Sequence, residues 1–249
     1  MSLLNVQREG TGSTLVWLHG FTQTHASAHQ FRSILAGTRD LWTLDLPGHG
    51  SQRELRCSLN EIADLIAQIF PDTPIDLGGY SLGGRVALHV ALRHPTRLRR
   101  LVILGATRGI ADEGGRAARR AHDELLAQRI ERIGTDAFLE EWLAQPMFAT
   151  LPPDPRERSA RSTDPYGLAS SLRCAGTGTQ AWLAPALAAL PTPVLALAGE
   201  LDLKFTAEAR AIANDLPRGR AETIALAGHA AHLENPVATA RSVERFLAS

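Results

Sequence analysis

Short runs of consecutive apolar residues recur along the chain, and glycine or a polar side chain follows most of them. Runs that are apolar throughout, rather than at alternate positions, are typical of strands buried on both faces of a parallel sheet. The chain is therefore predicted to form strands at residues 14–18, 41–46, 74–77, 98–104, 194–198 and 222–226.

Segments with the apolar spacing of an α-helix separate these strands. The clearest begins at the capping-box sequence Ser-Leu-Asn-Glu, residues 58–61, and is predicted to end before Pro71. Other helices are predicted at residues 26–35, 85–93 and 237–247. Strands that alternate with helices imply right-handed crossovers, so we predict an α/β fold with a doubly wound, mostly parallel sheet.

The alternation of strands and helices stops after Gly105. From about residue 110 to residue 187 the sequence contains amphipathic helical stretches and a proline-bearing link, but no strand pattern. The helices are predicted at residues 116–133 and 137–143. We therefore predict a core formed by residues 1–109 and 188–249, with residues 110–187 inserted as a helical lid over the carboxyl edge of the sheet.

The sequence Gly-Tyr-Ser-Leu-Gly, residues 79–83, stands between a predicted strand and a predicted helix. Glycines two positions either side of a serine allow the strand and the helix to pass close together in a strained turn that exposes the hydroxyl. The pattern therefore predicts Ser81 as a reactive serine above the sheet. The alternative is an ordinary glycine-rich turn with a solvated serine.

A serine hydroxyl becomes reactive when an imidazole takes its proton and a carboxylate orients that imidazole. In an open parallel sheet, such groups are expected where strands end at the carboxyl edge. Asp202 follows the strand at 194–198, and His229 follows the strand at 222–226. The sequence therefore predicts a triad of Ser81, Asp202 and His229.

Two neighbouring residues are alternatives for the acid and the base. Glu200 lies nearer the end of its strand, where a structural role is favoured, and His232 lies further along the loop, where it would cap a helix or support the site. The pair His19-Gly20 ends the first strand, as in loops that donate an oxyanion N–H. The backbone amides of Phe21 and Leu82 are therefore the predicted oxyanion donors.

Composition and charge limit the kinds of partner that the chain is expected to bind. The 26 basic and 26 acidic residues give a formal net charge of zero without a long run of one sign, so nothing indicates a nucleic-acid or membrane-surface partner. Lys204 is the only lysine among the basic residues, which a coding bias explains most simply. Cys57 and Cys174 are far apart in sequence and lack the spacing of zinc ligands.

These observations predict a cytoplasmic protein that uses no metal or organic cofactor. The two cysteines fit a reducing compartment. Residues 1–10 have a polar, charged end where a signal peptide needs an apolar core, and no segment approaches membrane-spanning length.

Five motifs in the chain resemble the α/β-hydrolase family, and they stand at residues 19–22, 45–50, 79–85, 199–205 and 228–236. Within that family, the chain is similar to the synthases that form 2-succinyl-6-hydroxy-2,4-cyclohexadiene-1-carboxylate in menaquinone biosynthesis. The more selective motifs are Gly-Tyr-Ser-Leu-Gly-Gly-Arg at 79–85, Lys-Phe at 204–205 and Trp-Leu-Ala-Gln-Pro at 142–146. The resemblance covers nearly the full chain.

The resemblance implies a lyase that eliminates pyruvate from 2-succinyl-5-enolpyruvyl-6-hydroxy-3-cyclohexene-1-carboxylate. Ser81, deprotonated through His229, would remove the proton α to the succinyl ketone while two amides hold the enolate. The substrate is a small anion, so basic pocket residues are expected. An ordinary carboxylesterase or thioesterase, a carbon–carbon bond hydrolase and a catalytically silent binding protein are the alternatives.

Arg85 is the best-supported candidate for binding such a substrate. It lies four residues after Ser81 on a helix that this fold largely buries, where an unpaired guanidinium is costly unless a carboxylate ligand meets it. A structural ion pair is the alternative. The other expected pocket residues, for each of which a solvated surface position is the alternative, are Tyr80, Arg119, Trp142 and Arg161.

Overall fold

The computed structural model describes residues 4–70 and 72–249. Residues 1–3 and Pro71 lie outside the described residues. Part of the prediction about the N-terminal segment therefore concerns positions that the structure does not describe. The helix predicted to end before Pro71 lies within the described residues and ends at Ala67, as predicted.

A single sheet carries the fold. Its strands, within the described residues, are β1 (Val6–Glu9), β2 (Ser13–Leu18), β3 (Arg39–Leu44), β4 (Ile75–Tyr80), β5 (Leu98–Leu104), β6 (Val194–Gly199) and β7 (Gly219–Ile224). The spatial order is β1-β3-β2-β4-β5-β6-β7, and every neighbouring pair is parallel except β1 with β3. The predicted α/β fold with a mostly parallel sheet is therefore confirmed.

Helices cover both faces of this sheet, and their apolar sides form two separate cores with it. Within the described residues the α-helices are α1 (His29–Ala36), α2 (Leu59–Ala67), α3 (Leu82–Arg93), α4 (Glu113–Leu143), α5 (Pro155–Ser159), α6 (Pro165–Ala175), α7 (Ala184–Leu187), α8 (Leu203–Asp215), α9 (Ala231–Glu234) and α10 (Pro236–Leu247).

The capping box predicted at the start of α2 is present. The Ser58 hydroxyl accepts a hydrogen bond from the Glu61 amide, and the Glu61 carboxylate accepts one from the Ser58 amide at 2.8 Å. These two bonds satisfy amides that have no partner within the helix. The start of α2 is thus fixed by local sequence alone.

Two strands begin and end earlier than predicted. The predicted strand at 41–46 is instead Arg39–Leu44, because Arg39 and Asp40 pair with β2 and are neutralised by Glu244 and Arg8. The strand predicted at 222–226 is Gly219–Ile224, since the chain turns at Leu226 with a φ of 57°.

Between β5 and β6 the described chain contains helices and no strand, as predicted. Gly134, with φ 77° and ψ 169°, interrupts the long α4 and separates its two halves, which agrees with the two predicted helices. α4 packs on α6 through a small apolar core of its own, formed by Ala127, Ile130, Phe138, Leu168, Ala169 and Leu172. The division of the chain into a core and a lid stays a prediction.

Candidate active site

Ser81 occupies the sharp turn between β4 and α3. Its φ of 51° and ψ of −105° lie outside the regions that serine favours, and such a conformation costs on the order of 1–3 kcal/mol. The Ser81 amide donates to the Leu104 carbonyl at 2.8 Å, which ties the turn to the neighbouring strand. The strained turn leaves the Ser81 side chain on the wall of a cavity.

Glycine at position 83 is required by close backbone packing at this turn. A Cβ on Gly83 would stand 2.2 Å from the Leu18 carbonyl oxygen and 2.6 Å from that of His19. Neither backbone oxygen belongs to a flexible side chain, so either α3 or the end of β2 would have to move. Gly83 therefore sets the distance between α3 and β2.

We expect Gly83→Ala to lower the free energy of unfolding by about 1–3 kcal/mol, the usual cost of overpacking. Gly114→Ala is the matched control, because Gly114 is exposed in α4 and its added Cβ meets only the flexible Asp112 carboxylate. Urea unfolding of both variants checks this. Equal stability of the two variants would contradict the packing account.

The structure brings His229 and Asp202 together. His229 Nδ1 lies 2.7 Å from Asp202 Oδ2, and Asp202 Oδ1 accepts a hydrogen bond from the Phe205 amide at the start of α8. Burial alone raises the pKa of Asp202, but its hydrogen bonds from His229 and Phe205 outweigh that effect and lower it. An ionised Asp202 fixes the tautomer of His229 with a proton on Nδ1, which leaves Nε2 as the base.

Neither alternative residue occupies this position. Glu200 accepts a hydrogen bond from the Leu226 amide at 3.2 Å instead of contacting His229. His232 is buried beside Tyr80 and Gln23, and burial lowers its pKa to about 3. His232 does not line the cavity that contains Ser81 and His229. The geometry therefore favours Asp202 and His229.

Hydrogen bonds that involve the side chains of His19 and Gln23 hold the loop after β2 in place. His19 Nε2 accepts a hydrogen bond from the Leu46 amide, which puts its proton on Nδ1, 2.8 Å from the Gly20 carbonyl. Gln23 accepts a bond from the Gly20 amide. Phe21 lines the cavity next to this turn.

Leu82 is the other predicted oxyanion donor and also lines the cavity. It is the first residue of α3, where an amide has no acceptor within the helix. Phe21 and Leu82 thus line the same cavity as Ser81, and their role as oxyanion donors stays a prediction.

The cavity at Ser81 has a volume of about 380 Å³ and is basic. Arg85, Arg119 and Lys204 line it, and no aspartate or glutamate does so within the described chain. Tyr80 and Trp142 also line it, as expected. A cavity with several cations and no carboxylate favours an anionic ligand.

Arg85 is only 8% exposed, and no carboxylate lies within ion-pair distance of it in the described residues. Its Nη1 donates to the Ala175 carbonyl at 2.8 Å and to Gln180 at 3.4 Å. Burial, together with the nearby Arg119, lowers the pKa of Arg85 to about 10, so it is still cationic at neutral pH. The structure thus provides no ion-pair partner that would explain this charge.

Arg119 lines the same cavity from α4. Its Nε donates to Asp123 Oδ1 at 2.7 Å, and the Asp123 side chain is almost fully buried. The bond leaves the other guanidinium nitrogens available for a ligand and fixes the direction of the side chain. Arg119 therefore reaches the cavity that holds Ser81, as expected.

Arg161 is placed differently from the expectation. It does not line the cavity of Ser81 but a second one of about 620 Å³, which shares Phe148 with the first. Its Nη1 donates to Thr22 Oγ1 at 2.6 Å, which holds the guanidinium beneath the loop after β2. Burial lowers the pKa of Arg161. The expected direct contact with the pocket is therefore not observed.

The sequence analysis did not predict two aromatic side chains that line the site. The ring centroid of Phe205 lies 4.5 Å from that of His229, and the ring centroid of Phe148 lies 6.0 Å from it. Phe205 belongs to the selective motif at 204–205, and Phe148 lies two residues after the selective motif at 142–146, so a signal was available. Lys204, noted only as the single lysine, also lines the cavity.

The described residues contain neither a metal-binding cluster nor a helix fit to cross a bilayer. No cluster of three or more histidine, cysteine, aspartate or glutamate side chains has the arrangement to bind a metal ion. No described helix combines the length and the apolar character that crossing a bilayer requires.

Comparison with known sequences decides the family. The profile described as "Alpha/beta hydrolase family" matches residues 15–242. The chain belongs to the α/β-hydrolase family. Among members of that family, it is 34% identical to 2-succinyl-6-hydroxy-2,4-cyclohexadiene-1-carboxylate synthase of Serratia proteamaculans, over 97% of this chain and 95% of the relative. It is 35% identical to the synthase of the same name from Photorhabdus laumondii, over 94% and 84%.

Solved α/β-hydrolase structures agree with this placement. MenH from S. aureus superimposes with a TM-score of 0.91 at 30% identity, covering 100% of this chain and 98% of that chain. A thermophilic esterase from Thermogutta terrifontis superimposes with a TM-score of 0.82 at 24% identity, covering 98% and 93%, which shows the shared fold.

Proposed function

We propose that this protein is a carbon–oxygen lyase that eliminates pyruvate from 2-succinyl-5-enolpyruvyl-6-hydroxy-3-cyclohexene-1-carboxylate. The product is 2-succinyl-6-hydroxy-2,4-cyclohexadiene-1-carboxylate. One observation carries the proposal: Arg85, Arg119 and Lys204 share a cavity with Ser81 and His229 that contains no carboxylate within the described chain. The substrate bears three carboxylates, and the names of the relatives point to the same reaction.

The first step is a proton abstraction. His229, oriented by Asp202, takes the proton of the Ser81 hydroxyl, and the Ser81 oxygen removes the proton from the ring carbon α to the succinyl ketone. The electron pair of that C–H bond moves onto the ketone oxygen as an enolate. The amides of Phe21 and Leu82 donate hydrogen bonds to this oxygen.

The second step expels the leaving group. The enolate electrons return through the ring, shift its double bond, and break the C–O bond to the enolpyruvyl group. A conjugated diene remains on the ring, and enolpyruvate takes a proton on its methylene carbon to become pyruvate. No acyl-enzyme forms, so Ser81 acts as a base rather than as a nucleophile.

The arginines distinguish this proposal from a serine esterase with the same three residues. An esterase for neutral substrates gains nothing from a buried, unpaired guanidinium, which is costly to desolvate. We further propose that residues 110–187 act as a lid, since α4 brings Arg119 and Trp142 to the cavity. A small anionic metabolite is the proposed partner, and the cytoplasm the proposed compartment.

A coupled assay tests the proposal. Purified protein, kept in a chelator, is mixed with the enolpyruvyl substrate, and pyruvate is followed through NADH oxidation by lactate dehydrogenase. We expect rapid pyruvate release above the rate without enzyme, and slow turnover of neutral nitrophenyl esters. Efficient ester hydrolysis without pyruvate release would establish the esterase alternative.

A further inference from the structure

Lys204 is the only lysine in the chain, and it stands at the cavity of Ser81. It is the second residue of α8, directly after the turn that holds Asp202. A cation in the first turn of a helix is disfavoured by the helix dipole. A ligand with negative charge would offset that local disadvantage.

The surroundings of Lys204 leave its ammonium available. No carboxylate lies within ion-pair distance of Nζ in the described part of the chain. Nζ stands 5.4 Å from the centre of the Phe205 ring, and that ring packs against His229. Lys204 is therefore exposed to solvent on the wall of the cavity that carries the base.

The three cations of the cavity fall into two groups. Arg119 and Asp123, both on α4, lie close enough to Arg85 to act on it electrostatically. Lys204 lines the cavity from a different element, α8. One group thus offers rigid, planar donors, and the other offers a flexible point charge.

The chemistry of the substrate assigns a carboxylate to each group. Two carboxylates stay on the ring product, whereas the third departs with the enolpyruvyl group. Rigid guanidinium donors, one of them buried, suit the part that has to stay in register with Ser81. An exposed, strongly hydrated ammonium at the solvent side suits an anion that has to leave.

We propose that Lys204 binds the carboxylate of the enolpyruvyl group, the part of the substrate that leaves as pyruvate. This assignment rests on the proposed lyase function. It makes Lys204 a specificity-determining residue, because an otherwise identical substrate without that carboxylate loses a charged contact. It also places the exit for pyruvate beside α8.

Lys204→Gln tests the assignment, with Lys204→Arg as the conservative variant. Arg210→Gln is the matched control, because Arg210 is an exposed cation on the same helix and does not line the cavity. Four quantities are measured for each protein: kcat/KM for elimination, followed by the ultraviolet absorbance of the diene, its pH profile, and the inhibition constants of added pyruvate and of the diene product.

For Lys204→Gln we expect kcat/KM to fall about tenfold and the pyruvate inhibition constant to rise about tenfold, as for loss of one charge-assisted hydrogen bond. Lys204→Arg should restore most of the wild-type kcat/KM and most of the wild-type affinity for pyruvate. Arg210→Gln should match the wild type in both quantities. Lys204 also helps to lower the pKa of Asp202, so a small shift of the acidic limb of the pH profile is expected in Lys204→Gln, alongside the change in pyruvate inhibition.

Other outcomes overturn the assignment. Weaker inhibition by the diene product with unchanged pyruvate inhibition would place Lys204 on a retained carboxylate. A shifted acidic limb with unchanged pyruvate inhibition would mean that Lys204 acts through Asp202. A wild-type protein that releases pyruvate, with Lys204→Gln equal to it, refutes only this inference, whereas a wild-type protein without elimination refutes the proposed function itself.

Discussion

Ser81→Ala and His229→Ala are each expected to lower kcat for pyruvate elimination by about 10²- to 10⁴-fold, the usual contribution of a positioned general base. The double variant should be only slightly slower than either single one. Both residues move the same proton, so removing the second takes away little that is left. Steady-state rates of the three variants, measured by pyruvate formation, check this expectation.

Ser33→Ala is a suitable control for these variants, since Ser33 is an exposed serine on α1, away from the cavity. It should keep the wild-type rate. If the two single losses multiplied in the double variant, Ser81 and His229 would act independently, and the shared proton relay would be wrong.

Arg85→Ala is expected to lower kcat/KM for the enolpyruvyl substrate by about 10- to 100-fold, equivalent to roughly 1.5–3 kcal/mol for a charge-assisted hydrogen bond. Arg119→Ala should give a loss in the same range. Neither change should affect the residual turnover of a neutral nitrophenyl ester, because that ester needs Ser81 and His229 but no cation.

The structure adds a stability criterion to this prediction. Arg85 is buried without a carboxylate partner, so its removal abolishes a desolvated charge and should not lower the melting temperature strongly. Arg129→Ala is the matched control in the proposed lid, because Arg129 lies on α4, pairs with Glu141 and does not line the cavity. Equal losses on both substrates would show that Arg85 and Arg119 support the structure instead of the substrate.

Much of the fold could be predicted because the relevant signals are local. The strand after α3 was predicted at residues 98–104, as observed, since every residue near its end is apolar and buried. β1 was not predicted, because its central residues Gln7 and Arg8 are polar, and it is held at the sheet edge by pairing with β3. The interaction that makes β1 a strand is its pairing with β3, which lies about 30 residues further along the chain, and local sequence does not reveal it.

The candidate catalytic residues were predictable for a similar reason. Asp202 and His229 each follow a strand, and parallel strands deliver their carboxyl ends to one edge. The preference for Asp202 over Glu200 agrees with the 2.7 Å contact to His229. Their catalytic roles stay proposals that the kinetic variants test.

The arginines proposed to bind substrate were less predictable. Which basic residues reach the cavity depends on how α4 and the following segment pack. Gly134 interrupts α4, and the apolar spacing of the sequence does not predict the angle between the two halves of the helix. Arg119 reaches the cavity, whereas Arg161 is held by Thr22 outside it. Lys204 reaches the cavity because the start of α8, which directly follows Asp202, lines it together with His229.

The most direct test follows pyruvate and the conjugated diene in the same sample, the first by an enzymatic assay and the second by its ultraviolet absorbance. The proposed elimination predicts that both form in a one-to-one ratio, and that deuterium at the ring carbon α to the succinyl ketone slows both equally. Hydrolysis of the enol ether would release pyruvate but leave a hydroxyl on the ring and form no diene. Pyruvate without the diene would therefore contradict the lyase function.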